Sequence, residues 1–166
     1  MKKIIIALAC ALFGSLSVAT AQDLKLDRKG AYVTGTFSYT DDTANRTVTG
    51  LVAGYQVHQN LRVEGAYDYA VRDGRNGHTL VVNAVPQYRL PGSVVTPYVL
   101  LGAGYGFEGA GVNGDAKTLW NAGAGVRIGL SQSWELDGRY RYVNHFDNHW
   151  NDSESHVITA GVSYRF

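Results

Sequence analysis

Between Leu61 and Arg72 every charged residue falls on one parity: Arg62, Glu64, Asp68 and Arg72 alternate with Leu61, Val63, Gly65, Tyr67, Tyr69 and Val71. The stretch from Trp134 to Tyr142 repeats the pattern, with Glu135, Asp137, Arg139 and Arg141 opposite Trp134, Leu136, Gly138, Tyr140 and Tyr142. Successive side chains of a strand point to opposite faces, so a strict period of two makes each stretch a strand whose two faces meet different surroundings. Arg89, Arg127 and Arg165 also fall on the more polar parity of their segments. None of these strand charges shares a face with the large apolar groups.

Segments of the same kind recur along the chain, at roughly 31–40, 47–57, 61–72, 79–90, 96–107, 118–130, 134–143 and 156–166. Most have the length of a strand tilted across a bilayer, about 9–11 residues, whereas an ordinary globular strand has about 5–6. Tight connections at His58-Gln59-Asn60, Pro91-Gly92-Ser93 and Ser131-Gln132-Ser133 alternate with longer polar ones at 41–46, 73–78, 108–117 and 144–155. Short turns on one rim and longer loops on the other predict an all-β fold, an eight-stranded antiparallel up-and-down transmembrane β-barrel. A soluble barrel of equal strand number would put the arginines outside and apolar groups within. Charge on a barrel's lipid face costs about 2–4 kcal/mol at the bilayer midplane, and the observed segregation avoids that cost.

Aromatics on the apolar parity sort to the strand ends. Tyr39, Tyr69, Phe107, Trp120 and Tyr142 are expected near the long-loop rim, and Tyr88, Trp134, Tyr164 and Phe166 near the short-turn rim. Such residues prefer the membrane–water boundary because each ring is apolar and, in Tyr and Trp, has a polar edge. The closing segment, His156 to Phe166, alternates without a break and ends on an aromatic; it is expected to pair with the first strand.

Residues 1–21 read as a cleaved secretory signal. Lys2 and Lys3 precede an apolar run from Ile4 to Leu12, and Ala19-Thr20-Ala21 ends the segment. The run is too short to cross a bilayer as a helix. Residues 22–166 form the expected barrel domain, free of cysteine because Cys10, the single cysteine, lies in the signal. Of 15 basic residues, Lys2 and Lys3 leave with the signal, so 13 face 14 acidic ones, and charge gives no argument for nucleic acid.

The terminal aromatic strand, TPYVLLGAGYGF at Thr96 to Phe107 and LDGRYRY at Leu136 to Tyr142 resemble the small outer-membrane barrels of the OmpA transmembrane-domain, OmpX and opacity-protein type. The resemblance spans the whole mature chain. It implies a bacterial outer-membrane location, lipid and lipopolysaccharide as surroundings, and a C-terminal strand read by the barrel-assembly machinery through Tyr164 and Phe166. It also implies a monomer without cofactor; the peptidoglycan-binding domain of the two-domain OmpA arrangement is not expected.

An eight-stranded barrel has an interior just wide enough for side chains to fill. Arg62, Glu64, Asp68, Arg72, Arg89, Arg127, Glu135, Asp137, Arg139, Arg141 and Arg165 are therefore expected to form a lumenal ionic network, with Gly102, Gly104, Gly106, Gly123, Gly125 and Gly129 making room for the arginines. The expected role is structural or surface-interacting: envelope integrity, adhesion or a surface antigen, with a possible host or surface ligand at the loops. The alternatives are a small ion-conducting pore and a lipid A-modifying enzyme.

Three further patterns carry less chemistry. Gly104-Tyr105-Gly106-Phe107-Glu108-Gly109 matches the dinucleotide spacing, but no helical period follows to receive a pyrophosphate. His145, Asp147, His149, Asp152 and His156, with His78 in another loop of the same rim, read as solvated loop residues; no metal site is expected. For a serine hydrolase, His145 would need a serine two residues on, where lipid A deacylases carry it, and this chain has Asp147; Ser153, Glu154, Ser155 and His156 show no specific spacing. No catalysis is expected. Arg46, Arg72, Arg75 and Lys117 near the outer rim could contact lipopolysaccharide phosphates.

Overall fold

In the computed structural model, residues 29–41, 46–72, 75–108, 116–146 and 153–166 are described. Residues 1–28, with the expected signal segment, and residues 42–45, 73–74, 109–115 and 147–152 lie outside them. The described residues form β1 (Ala31–Asp41), β2 (Arg46–His58), β3 (Leu61–Arg72), β4 (Arg75–Pro86), β5 (Val95–Glu108), β6 (Ala116–Gly129), β7 (Trp134–Phe146) and β8 (Ser153–Arg165). All pair antiparallel in sequence order, and β8 returns to β1 from Tyr32↔Arg165 to Asp41↔His156, closing the barrel.

The two faces are inverted relative to a water-soluble protein. Inside, Arg62 and Arg127 are each 1% exposed and Glu64 is 0% exposed; outside, Leu101 is 62% and Val82 61% exposed. Lipid-facing side chains need no protein partner, whereas each lumenal charge needs one, and that demand organises the interior. Leu101 lies midway along β5 on the outward face. Leu101→Arg is expected to weaken insertion by about 2–4 kcal/mol, read from the folded fraction in a denaturant titration with lipid vesicles.

Several strands run further toward the loop rim than their sequence suggests. β4 begins at Arg75 rather than Thr79, because Asn76, Gly77 and His78 pair with Val71, Ala70 and Tyr69 and the hairpin closes at Arg72↔Arg75. The segment 73–78 is thus mostly strand. β4 also stops at Pro86 rather than continuing to Leu90. Proline donates no ladder hydrogen bond, and beyond it only the Gln87↔Tyr98 bridge continues the pairing with β5. The chain then turns through Gly92, whose φ of 69° suits the left-handed region. β7 and β8 extend past the expected ends until His145 pairs with Ser153, so His145 and His156 are strand residues too. Polar side chains at these ends made strand look like loop.

Aromatic contacts lie toward both rims. Trp134, Tyr164 and Phe166 form an edge-to-face row, with centroids 5.0 and 5.2 Å apart, at the turn rim. Trp120 and Tyr142 pack at 5.5 Å toward the loop rim. Tyr105 and Phe37, which the two-band expectation omits, also stand outward, 54% and 58% exposed.

Candidate functional site: the lumenal charge network

The densest chemistry in the molecule lies in the lumen, where β3, β6 and β7 bring their polar faces together. Glu64 and Asp137 share two arginines. Arg127 donates from Nη2 to Glu64 Oε1 (2.8 Å) and from Nε to Asp137 Oδ2 (3.1 Å). Arg139 donates from Nη1 to Glu64 Oε2 (3.0 Å) and from Nε and Nη2 to the two Asp137 oxygens (3.0 Å each). Two cations and two anions close a neutral ring, so each buried charge has two partners of opposite sign. Arg127 Nη1 also donates to Gln87 Oε1 at 2.9 Å.

Each carboxylate of the ring also receives a phenol. Tyr32 donates to Glu64 at 2.6 Å and Tyr98 to Asp137 at 2.8 Å. Each phenol ring lies over a glycine directly across the ladder, Tyr32 on Gly54 and Tyr98 on Gly125; a Cβ on either glycine would overlap the ring. The guanidinium of Arg62 stands 4.7 Å from the Tyr32 centroid, and that of Arg127 4.0 Å from Tyr98, a cation–π geometry.

Gly125 therefore seats a tyrosine, and the expectation that the inward glycines make room for arginines is corrected. Gly102 lies under Asn83, Gly104 and Gly123 against the neighbouring strands' Leu80 and Tyr140 carbonyls, and Gly106 beside His145 and Leu119. The arginines reach across the lumen above the wall, so they do not need the space at the wall itself.

Two further ion pairs link β3 to β7 across the axis. Arg62 grips Glu135 through both Nη atoms, at 3.0 and 3.1 Å, and Arg165 Nη2 approaches the same carboxylate at 2.5 Å. Arg141 Nη2 donates to Asp68 Oδ2 at 2.9 Å. Both β3–β7 pairs join residues 73 apart in sequence, so they connect corresponding positions of LRVEGAYDY (61–69) and WELDGRYRY (134–142). Glu64 and Asp137 correspond in the same way. The two halves of the barrel are thus chemically related, with opposite charges at two of the three matched positions.

Toward the loop rim the lumen changes character. Val81, Leu119, Val143 and Val157 pack together, all buried, above the charged layer. This apolar layer was not foreseen, nor were Tyr32, Tyr98 and Gln87. All seven occupy inward parity, which the sequence does show. Recognising the tyrosines further required the register that sets each opposite a glycine.

Of the expected network residues, the structure joins Arg62, Glu64, Asp68, Arg127, Glu135, Asp137, Arg139, Arg141 and Arg165 in the contacts above. Arg89 is on inward parity but beyond the end of β4, half-buried, and the side chain of Arg72 lies outside the described part, with those of Arg46 and Arg75. Lys117 is half-buried on inward parity in β6. Tyr164 faces outward between Trp134 and Phe166. His149, Asp147 and Asp152 fall outside the described residues.

The remaining described histidines diverge. His145 turns into the lumen over Gly106, while His78 and His156 stand on the outward face, hydrogen-bonded to Tyr67 and Tyr140. Strand alternation also puts Ser155 and His156 on opposite sides of the barrel wall. Gly104 and Gly106 lie inside β5, paired on both sides.

Solved structures share this architecture. Neisserial surface protein A superposes with a TM-score of 0.68 at 16% identity, covering 83% of this chain and 97% of that one. The N-terminal β-barrel domain of Pseudomonas aeruginosa OprF gives 0.63 at 17% identity, covering 84% and 100%. Ail, the attachment invasion locus protein of Yersinia pestis, gives 0.57 at 20%, covering 84% and 99%, and has also been solved in complex with the heparin analogue sucrose octasulfate. The outer membrane enzyme PagL gives 0.54 at 10% identity, covering 81% and 99%. At these identities the likeness is one of fold. No curated protein matches in sequence. With the polar lumen, the apolar outer wall and a match over residues 6–166 to the outer membrane protein beta-barrel domain, the chain belongs to that family of bacterial outer-membrane barrels.

Proposed function

We propose that this barrel is a non-conducting, non-catalytic, monomeric scaffold of the outer membrane that acts through its surface, either by supporting the envelope or by presenting its outer rim to a ligand. The observation that carries this reading is the pair of layers in series across the lumen. The Glu64–Asp137–Arg127–Arg139 ring occupies one level, and the Val81–Leu119–Val143–Val157 cluster another toward the loop rim. An ion would have to displace a fully paired charge network and then pass a close-packed level where the Val81–Leu119–Val143–Val157 cluster stands beside the Asp68–Arg141 ion pair.

Surface interaction is supported by analogy with the Neisserial surface protein and with the attachment invasion protein, whose complex contains a sulfated heparin analogue. Arg46 and Arg75 open β2 and β4 at the outer loops of this chain, where a polyanionic ligand would approach. Tyr164 and Phe166 are assigned here to recognition by the assembly machinery.

In planar bilayers the purified protein is expected to show no defined unitary conductance. A stable single-channel current abolished by neutralising Glu64 or Asp137 would overturn the scaffold reading. A deletion strain separates the two surface roles: leakiness without loss of adhesion marks envelope support, and the reverse marks ligand presentation.

A further inference from the structure

Two clusters of the same composition stand on the outward face toward the loop rim and take no part in the lumenal network. On β3 and β4, the Tyr67 hydroxyl lies 2.6 Å from His78 Nδ1, and the Tyr69 ring packs against the same imidazole at 5.1 Å. On β7 and β8, the Tyr140 hydroxyl lies 2.6 Å from His156 Nδ1, with the Tyr142 ring at 5.7 Å. In each the histidine is the direct cross-strand partner of the second tyrosine and reaches diagonally to the first. The two strand pairs are half a circuit apart in the closed barrel, so the clusters face opposite sides.

Membrane-boundary anchoring alone needs only an aromatic ring with a polar edge, which the tyrosines already supply. The imidazole adds a second ring nitrogen directed away from the tyrosine that holds the first. We propose that each cluster is a clamp for the phosphate of an outer-leaflet lipid headgroup. The tyrosine hydroxyl donates its one proton to Nδ1, Nε2 therefore keeps the ring proton, and Nε2–H donates to a phosphate oxygen. The neighbouring tyrosine holds the ring in place. An N–H bond to an ionised phosphate is about twice as strong as a neutral one, which gives the clamp its preference for phosphate over uncharged headgroups.

Neighbouring groups rank the two clamps. Around His78 the outward positions are Asn76 and Leu80 on its own strand, Tyr67 and Tyr69 on β3, and Tyr105 and Phe107 on β5, all uncharged. Beside His156 the position corresponding to Asn76 is Glu154. Carboxylates disfavour an anion, so the His78 clamp is the stronger.

The test uses the full barrel in phosphatidylcholine nanodiscs doped with lipid A or with lipid A stripped of phosphate, and native mass spectrometry to count retained lipid. The phosphorylated form is expected to be retained about tenfold better, the equivalent of one charge-assisted hydrogen bond. His78→Phe is expected to cut the preference to about twofold, and His156→Phe to change it less. Nitrogen NMR of the histidine side chains adds a second readout: the His78 Nε2 resonance moves with phosphorylated lipid A, and not with millimolar inorganic phosphate in undoped discs. Equal retention of the two lipids, or an undiminished preference in His78→Phe, overturns the clamp. An equal resonance shift with free phosphate overturns its assignment to lipid. Should His78→Phe fail to fold, Tyr67→Phe removes the tautomer-fixing hydroxyl and must lower the preference as well; no change there refutes the proposal.

Discussion

Glu64→Gln is expected to cost about 3–5 kcal/mol of unfolding free energy, the loss typical when one partner of a buried ion pair is removed. Glu64 is 0% exposed and accepts from Tyr32, Arg127 and Arg139 at once, so the neutral amide leaves two guanidinium groups sharing Asp137 alone. Neither can turn to water, because the apolar cluster lies on the loop side and the Arg62–Glu135–Arg165 group occupies the lumen on the other. Urea unfolding in detergent micelles, followed by the gel-mobility shift of the folded barrel, measures the effect. The same experiment with Asp137→Asn should give a similar loss, and the double variant less than the sum, since both substitutions break the same ring. Full additivity would show that the four side chains do not act as a unit.

The second large effect concerns Asp68 and Arg141, which face each other one-to-one. Asp68→Arg is expected to destabilise by about 3–5 kcal/mol, because two guanidinium groups then meet in the lumen and neither has its carboxylate. Exchanging both, Asp68→Arg with Arg141→Asp, should restore most of that loss. The two residues hold corresponding positions on β3 and β7, and each pairs with a glycine on the preceding strand, Gly50 and Gly123, so neither has a side chain directly opposite it. The reading is the urea midpoint of the double variant against each single one. A double variant no better than Asp68→Arg alone would show that local packing, not charge pairing, determines these positions.

Parity made much of this molecule legible in advance. The alternation in Leu61 to Arg72 and in Trp134 to Tyr142 assigned the inward and outward faces, and the recurrence of such segments gave the number of strands and the pairing of the last with the first. Strand ends were read less well, because Asn76, Gly77, His78, Asn144 and Glu154 are polar wherever they stand: composition marks them as loop, and only ladder pairing makes them strand. The apolar lumenal layer was hidden for a different reason. Parity turns Val81 and Val157 inward, but nothing along either strand says that they meet Leu119 and Val143 there. Tyr32 and Tyr98 needed information from two strands at once: an aromatic on the polar parity becomes informative only when the register puts a glycine opposite it.

The matched positions of β3 and β7 also bear on misassembly. Two copies of the first four strands, brought together to close a barrel between separate chains, would set Arg62 against Arg62 and Asp68 against Asp68. They would leave two copies of Glu64 with Gly54 and Ala66 where the other half has Arg127 and Arg139. Two copies of the last four strands would fail in the reverse sense, with Arg141 facing Arg141 and Glu135 facing Glu135. Asp137 and Glu135 keep Arg127, Arg139 and Arg165 of their own half, but the pairs that cross between halves, Arg62 with Glu135 and Asp68 with Arg141, form only when β3 meets β7, so these interior charges act like the specificity code of a heterodimer written into one polypeptide. During insertion, when open half-barrels of neighbouring chains share the same membrane, that code favours each chain closing on itself.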